Sequence, residues 1–106
     1  NIAATTVLSQ RMKELGIIKN SSELRRYFMH GTSHFLGIDV HDSGMRYKPM
    51  QVGMTFSCEP GIYIQDEGIG VRIENQILIT ENGPVDMMDE VEMPIEISDI
   101  EDFMAS

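Results

Sequence analysis

A chain of 106 residues is long enough for one small domain with its own hydrophobic core. Its net charge of −9 argues against a nucleic-acid surface, which requires clustered Lys and Arg side chains. The sequence contains no secretory signal pattern and no apolar run of about 18 residues, so no membrane segment is predicted. The single cysteine, Cys58, fits a reducing compartment, and we expect a cytoplasmic protein.

The first part of the chain is predicted to be helical. Apolar side chains recur at spacings of three and four residues over residues 2–15, namely Val7, Leu8, Met12 and Leu15. This pattern predicts an amphipathic helix with these four residues on its buried face, and Gly16 is a typical helix stop. Asn20 and Glu23 have the spacing of a capping box, which predicts a short second helix over residues 21–27.

Residues 28–42 contain all three histidines of the chain, His30, His34 and His41, together with two glycines. His30 and His34 are four residues apart, as two zinc ligands on one helix would be. The helical zinc-protease motif, however, needs glutamate directly after its first histidine, and residue 31 is glycine. Extended segments around a tight bend are predicted instead.

Alternation of apolar and polar residues predicts strands over residues 54–59 and 71–80, and a short strand over 62–64. The residues predicted to face the core under the helices are Met54, Phe56, Cys58, Val71, Ile73, Ile77 and Ile79. Cys58 is therefore predicted to be a buried small hydrophobe rather than a nucleophile. Glu59, Arg72 and Glu74 fall on the opposite face of the sheet. The predicted fold is α+β, with helices packed on one face of a curved antiparallel sheet.

The end of the chain is acidic. Residues 81–106 contain 9 acidic side chains and no basic one, whereas residues 1–80 contain 8 of each. A segment of one charge sign is typical of a solvated surface. We therefore predict an acidic loop after a turn at Asn82–Gly83, and then a helix over residues 98–105. The apolar side of this helix would be formed by Ile100, Phe103 and Met104.

Two carboxylates on neighbouring strands repel each other unless a positive charge lies between them. A divalent cation between Glu59 and Glu74 would remove this repulsion, and His34 would add a nitrogen ligand. Such mixed ligation suits Mn²⁺, Fe²⁺, Co²⁺ or Zn²⁺. The alternative is that the glutamates are surface residues and the histidines are hydrogen-bonded loop residues, and spacing alone favours this alternative.

Three motifs resemble those of Xaa-Pro aminopeptidases (aminopeptidase P) and prolidases. Residues 29–42, MHGTSHFLGIDVHD, are similar to the histidine motif of these enzymes. Residues 59–63, EPGIY, and residues 70–74, GVRIE, are similar to their two glutamate motifs. The separations also agree, since Glu59 follows His34 by 25 residues and Glu74 follows Glu59 by 15.

The resemblance implies a pita-bread α+β fold around two divalent cations, most often Mn²⁺, with Co²⁺, Zn²⁺ or Fe²⁺ as other possibilities. It assigns His34, Glu59 and Glu74 as metal ligands. It makes Glu59 the carboxylate that transfers protons and His41 the residue that contacts the scissile carbonyl. It places His30, His41, Tyr63 and Arg72 at the substrate, a peptide with proline at its second position. The nucleophile in such enzymes is a water or hydroxide bridging the two metals.

The family also uses two aspartate ligands from the first half of the catalytic domain, and residues 1–33 contain no aspartate. Residues 1–106 are therefore expected to be the C-terminal part of one catalytic domain, inactive alone and inclined to form a homodimer. A prolidase acting on Xaa-Pro dipeptides is a second interpretation, because it shares every motif. A third is a non-catalytic pita-bread module that binds peptides or proteins.

Overall fold

The chain has a helix at each end and short strands between them. The computed structural model describes residues 1–45 and 47–106. Helix α1 spans Ile2–Glu14, the first 3-10 helix follows at Ser21–Arg26, and a second 3-10 helix lies at Gln65–Glu67. The strands are β1 Thr55–Cys58, β2 Gly61–Ile64, β3 Ile69–Arg72, β4 Asn75–Thr80 and β5 Gly83–Asp86, and helix α2 spans Ile97–Ala105. These elements confirm the predicted α+β class.

The strands form two antiparallel sheets rather than one. The first has the order β1-β4-β5 and the second pairs β2 with β3. The strand predicted over residues 71–80 is therefore divided at residues 73–74, where the chain leaves one sheet and enters the other. Val71 is 60% exposed and Ile73 is 46% exposed, so the prediction that both pack under the helices is wrong.

The hydrophobic core lies between α1, the first 3-10 helix and β2. Its buried residues are Met12, Ile18, Leu24 and Phe28, and Leu8, Tyr27 and Ile62 pack against them. The predicted buried face of α1 is only partly correct, because Val7 and Leu15 are 58% and 74% exposed. Gly16 ends the helix as predicted, with a φ of +73° that favours glycine. The chain reverses there, so Ile18 enters the core in place of Leu15.

The predicted capping box holds the first 3-10 helix. Glu23 Oε2 accepts hydrogen bonds from the backbone N–H groups of Lys19 and Asn20, both at 2.7 Å. The bond from Asn20, followed by the one from Lys19, lowers the pKa of Glu23 because both favour the carboxylate. The segment is a 3-10 helix over Ser21–Arg26 rather than the longer helix expected from the sequence.

The acidic tail contains a strand that the sequence did not predict. Strand β5 pairs with β4 at the edge of its sheet. Proline has no backbone N–H to donate, and the edge position tolerates Pro84 because no hydrogen bond of the ladder requires one there. Helix α2 begins one residue before its predicted start, and Ile97, Phe103 and Met104 are exposed. In the part of the chain that the structure describes, every helix is too short or too polar to cross a membrane.

Candidate metal centre

Residues 32–36, which include His34, lie alongside β1 and are held there by backbone hydrogen bonds. The N–H groups of Glu59 and Ser57 donate to the carbonyls of Thr32 and His34, at 2.7 and 2.9 Å. Further along, the N–H of Leu36 donates to the carbonyl of Thr55 at 3.1 Å. This antiparallel register brings the side chain of His34 next to that of Glu59.

His34, Glu59 and Glu74 converge on one point. His34 Nε2 is 3.0 Å from Glu59 Oε1, and the two side chains are only 16% and 13% exposed. Each of the three residues offers one ligand atom, and these atoms all lie within 4.8 Å of one another. Arg72 Nε lies 3.9 Å from the other carboxylate oxygen, Glu59 Oε2. The three residues named as ligands by the sequence motifs thus share one site, although they come from a loop, the end of β1 and the link between the two sheets.

The hydrogen bonding of His34 fits a metal ligand. Its Nδ1 is 3.1 Å from the carbonyl oxygen of Phe35, which can only accept, so Nδ1 carries a proton. In the neutral ring, Nε2 then presents its lone pair to Glu59 Oε1. A lone pair facing a carboxylate is repulsive, and either a cation or a proton between the two atoms relieves that repulsion. A backbone carbonyl that fixes the tautomer of histidine is the usual support of a metal-binding imidazole.

His30 and Tyr63 form a second polar pair close to the core. His30 Nδ1 is 2.8 Å from the carbonyl oxygen of Gly31, so it donates there, and in the neutral ring Nε2 accepts the Tyr63 hydroxyl proton at 2.8 Å. The His30 ring packs edge-on against Phe28 and Tyr63, with ring centroids 5.1 and 5.4 Å apart. Because Phe28 is buried, the core fixes the orientation of this pair.

His41 is brought to the cluster by the loop that follows His34. Its ring centroid is 4.5 Å from that of His34. The loop closes through a bridge between Phe35 and Asp42, and Phe35 also pairs with Phe56. The backbone of Gly44 lies against the Phe35 ring, and a Cβ atom on Gly44 would overlap it. A larger residue at position 44 would therefore displace Phe35 and, with it, the loop that holds His41.

Sequence reasoning missed Ser57. It is completely buried, and its Oγ lies 3.0 Å from Glu59 Oε1. The available signal was the alternation of residues 54–59, which places the Ser57 and Glu59 side chains on the same face of the strand. Cys58, predicted to be buried, is partly exposed.

Comparisons with known proteins identify the family and the fold of the chain. The profile of metallopeptidase family M24 matches residues 2–81. Xaa-Pro aminopeptidase 3 of Rattus norvegicus is 39% identical over 112 residues, which cover 91% of this chain and 22% of that protein. A solved structure from Bacillus anthracis, assigned to aminopeptidase P, superposes with a TM-score of 0.88 at 40% identity, covering 95% of this chain and 24% of that one.

A second solved structure is aminopeptidase P from Escherichia coli with the inhibitor Pro-Leu. It has a TM-score of 0.80 and 37% identity, and the match covers 95% of this chain and 27% of that one. The chain thus spans about a quarter of the length of the relatives that it matches. These likenesses confirm the predicted pita-bread fold. With three quarters of its residues inside the family profile, the chain belongs to metallopeptidase family M24.

Proposed function

We propose that this chain is the C-terminal part of a metallopeptidase catalytic domain that removes the residue before proline from a peptide N-terminus. The observation that carries the proposal is the convergence of His34, Glu59 and Glu74, three possible ligands contributed by three separate motifs. The names of the relatives, Xaa-Pro aminopeptidase and aminopeptidase P, support the peptide bond before proline as the bond that is cleaved. The alternative substrate, an Xaa-Pro dipeptide, would require the same residues.

His34, Glu59 and Glu74 would hold divalent cations, and their mixed imidazole and carboxylate donors suit Mn²⁺, Co²⁺, Zn²⁺ and Fe²⁺ alike. Mn²⁺ is our first choice because the motifs resemble those of enzymes that usually use it. Two aspartates from outside these 106 residues would complete a dinuclear centre. When bound, the cations supply Lewis acidity and make water a nucleophile at neutral pH. The absence of those aspartates from the chain is the reason that we expect no peptidase activity from residues 1–106 alone.

The remaining residues would act on the peptide. Glu59 is placed to transfer a proton, since it is largely buried and lies at the centre of the cluster. His41 lies edge-on beside His34 and would contact the scissile carbonyl, which gains negative charge as the tetrahedral intermediate forms. His30 and Tyr63 offer aromatic edges for the proline ring, and Arg72 offers a positive charge near Glu59.

A cleavage assay tests this function and separates it from its alternatives. The full-length protein that contains this chain is incubated with Mn²⁺ and either an Xaa-Pro-Xaa tripeptide or an Xaa-Pro dipeptide. Release of the first residue from the tripeptide supports the aminopeptidase, whereas cleavage of the dipeptide alone identifies a prolidase. If the protein contains bound metal but cleaves neither peptide, a non-catalytic binding module is favoured. The 106-residue chain serves as the control that should not turn over substrate.

We also propose that the 106-residue chain associates with a second copy of itself. Val71 and Ile73 are exposed beside a groove of about 520 Å³ whose apolar walls include Met93 and Ile100. In the described residues β3 pairs with β2 on one side only, which leaves one edge open to another strand. A cytoplasmic location remains our prediction from the single cysteine, and cell fractionation would test it.

A further inference from the structure

Ser57 makes hydrogen bonds to both residues at the buried end of the site. The backbone N–H of His34 donates to Ser57 Oγ at 3.0 Å. Because this bond uses the hydroxyl oxygen as acceptor, the hydroxyl proton is free to be donated to Glu59 Oε1, also at 3.0 Å. The N–H of Ser57 in turn donates to the His34 carbonyl at 2.9 Å. One side chain is thus tied to the backbone of His34 and to the carboxylate of Glu59.

The His34 N–H departs from ordinary strand pairing. In a hydrogen-bonded antiparallel pair, two opposite residues exchange both backbone N–H···O bonds. Here Ser57 gives its N–H to the His34 carbonyl, but the N–H of His34 donates to the hydroxyl of Ser57. The Ser57 hydroxyl therefore takes the place of the backbone carbonyl that would normally accept a hydrogen bond from the His34 N–H. An alanine side chain at residue 57 offers no acceptor to this N–H.

The same hydroxyl distinguishes the two oxygens of Glu59. Oε1 accepts from Ser57 and lies 3.0 Å from His34 Nε2, whereas Oε2 lies on the side of Arg72. Ser57 is fully buried, so water cannot substitute for its hydroxyl without a change in packing. The donated proton fixes which carboxylate oxygen lies next to the imidazole.

We propose that Ser57 is a positioning residue that orients His34 and Glu59 together toward a divalent cation. The inference rests on the proposed function, because it assigns Ser57 a role only if these two residues bind metal. Groups that orient metal ligands from outside the coordination shell typically change metal affinity about 10–100-fold when they are removed. We expect a loss of that size for Ser57→Ala.

Titration of the full-length protein that contains this chain with Mn²⁺, followed through the electron paramagnetic resonance signal of the free ion, tests this role. Ser57→Ala removes the hydroxyl and Ser57→Cys replaces it with a slightly larger group that is a poor hydrogen-bond donor, so both should weaken binding. Thr55→Ala is the matched control, since it removes a hydroxyl from the same strand and should leave binding unchanged. His34→Ala removes a ligand and should abolish binding. Thermal melts followed by circular dichroism identify any variant that does not fold.

Each result of the titration either supports or contradicts the proposed role of Ser57. Wild-type affinity in Ser57→Cys would show that residue 57 acts through packing alone and would overturn the inference, while the metal site would stand. If Ser57→Ala does not fold, Ser57→Cys decides the question. If the wild-type full-length protein binds no Mn²⁺, the proposed metal site is wrong and the role of Ser57 is excluded with it. In the full-length enzyme, Ser57→Cys should raise the Mn²⁺ concentration needed for half-maximal activity and leave the KM for peptide at saturating Mn²⁺ unchanged.

Discussion

Replacement of Phe28 by alanine tests whether the small core supports both the fold and the site. Phe28 is 5% exposed and is one of four buried hydrophobic residues in the core cluster. Removing a buried phenylalanine side chain costs about 3–5 kcal/mol. A chain of this length is stable by about 5–15 kcal/mol in total, so the loss is a large part of its stability. The Phe28 ring also packs against His30, so the substitution removes the contact that orients the His30 ring.

Urea unfolding followed by circular dichroism measures this loss. With a loss of about 4 kcal/mol and a slope of about 1.5–2 kcal/mol per molar urea, the midpoint should fall by about 2–3 M. Phe103→Ala is the matched control, because Phe103 is 67% exposed on α2 and the same change there should cost less than about 0.5 kcal/mol. Equal destabilisation by the two substitutions would show that the core is not where the structure places it.

Three further predictions concern the site, the capping box and the assembly. In the full-length enzyme, His41→Ala should lower kcat with metal content retained, whereas His34→Ala should lose metal; elemental analysis showing metal loss from both would contradict the role of His41. The pKa of Glu23 is lowered from 4.5 by its backbone hydrogen bonds, so its contribution to stability is complete above that value and disappears as the pH falls through the folded-state pKa. Glu23→Gln should therefore melt below wild type at neutral pH and match it in acid, and a gap that persists in acid would refute this. Light scattering after size exclusion should give at least a dimeric mass for the 106-residue chain, and a monomeric mass at every concentration would exclude the proposed association.

The sequence predicted the helices and the fold class well, because both depend on local signals. Gly16 ends α1 where expected, and the spacing of Asn20 and Glu23 correctly located a helical turn. The alternation over residues 71–80 was misleading, since alternation shows which side chains share a face and not which strand is the partner. Pairing of β4 with β1 depends on residues distant in sequence, such as Thr55 opposite Leu78, whereas β3 pairs with β2 in a local hairpin that the alternation does not reveal.

The site residues that lie within the three motifs were predictable from the sequence. Three motifs named His34, Glu59 and Glu74, and the structure brings these residues together. Spacing alone could not do so, because the cluster joins residues that are 15 to 40 positions apart in the sequence. Ser57 was missed for a different reason: a serine on the polar face of a strand usually faces water, whereas this one is completely buried between residues 32–36 and β4.

The central claim is that His34, Glu59 and Glu74 bind a divalent cation. Anomalous diffraction from crystals of the full-length protein that contains this chain, grown with Mn²⁺ and recorded near the manganese absorption edge, tests it most directly. We predict an anomalous peak at coordinating distance from His34 Nε2 and from one carboxylate oxygen of each glutamate. A peak elsewhere, such as on the acidic tail of residues 81–106, with none among these three side chains would contradict the account.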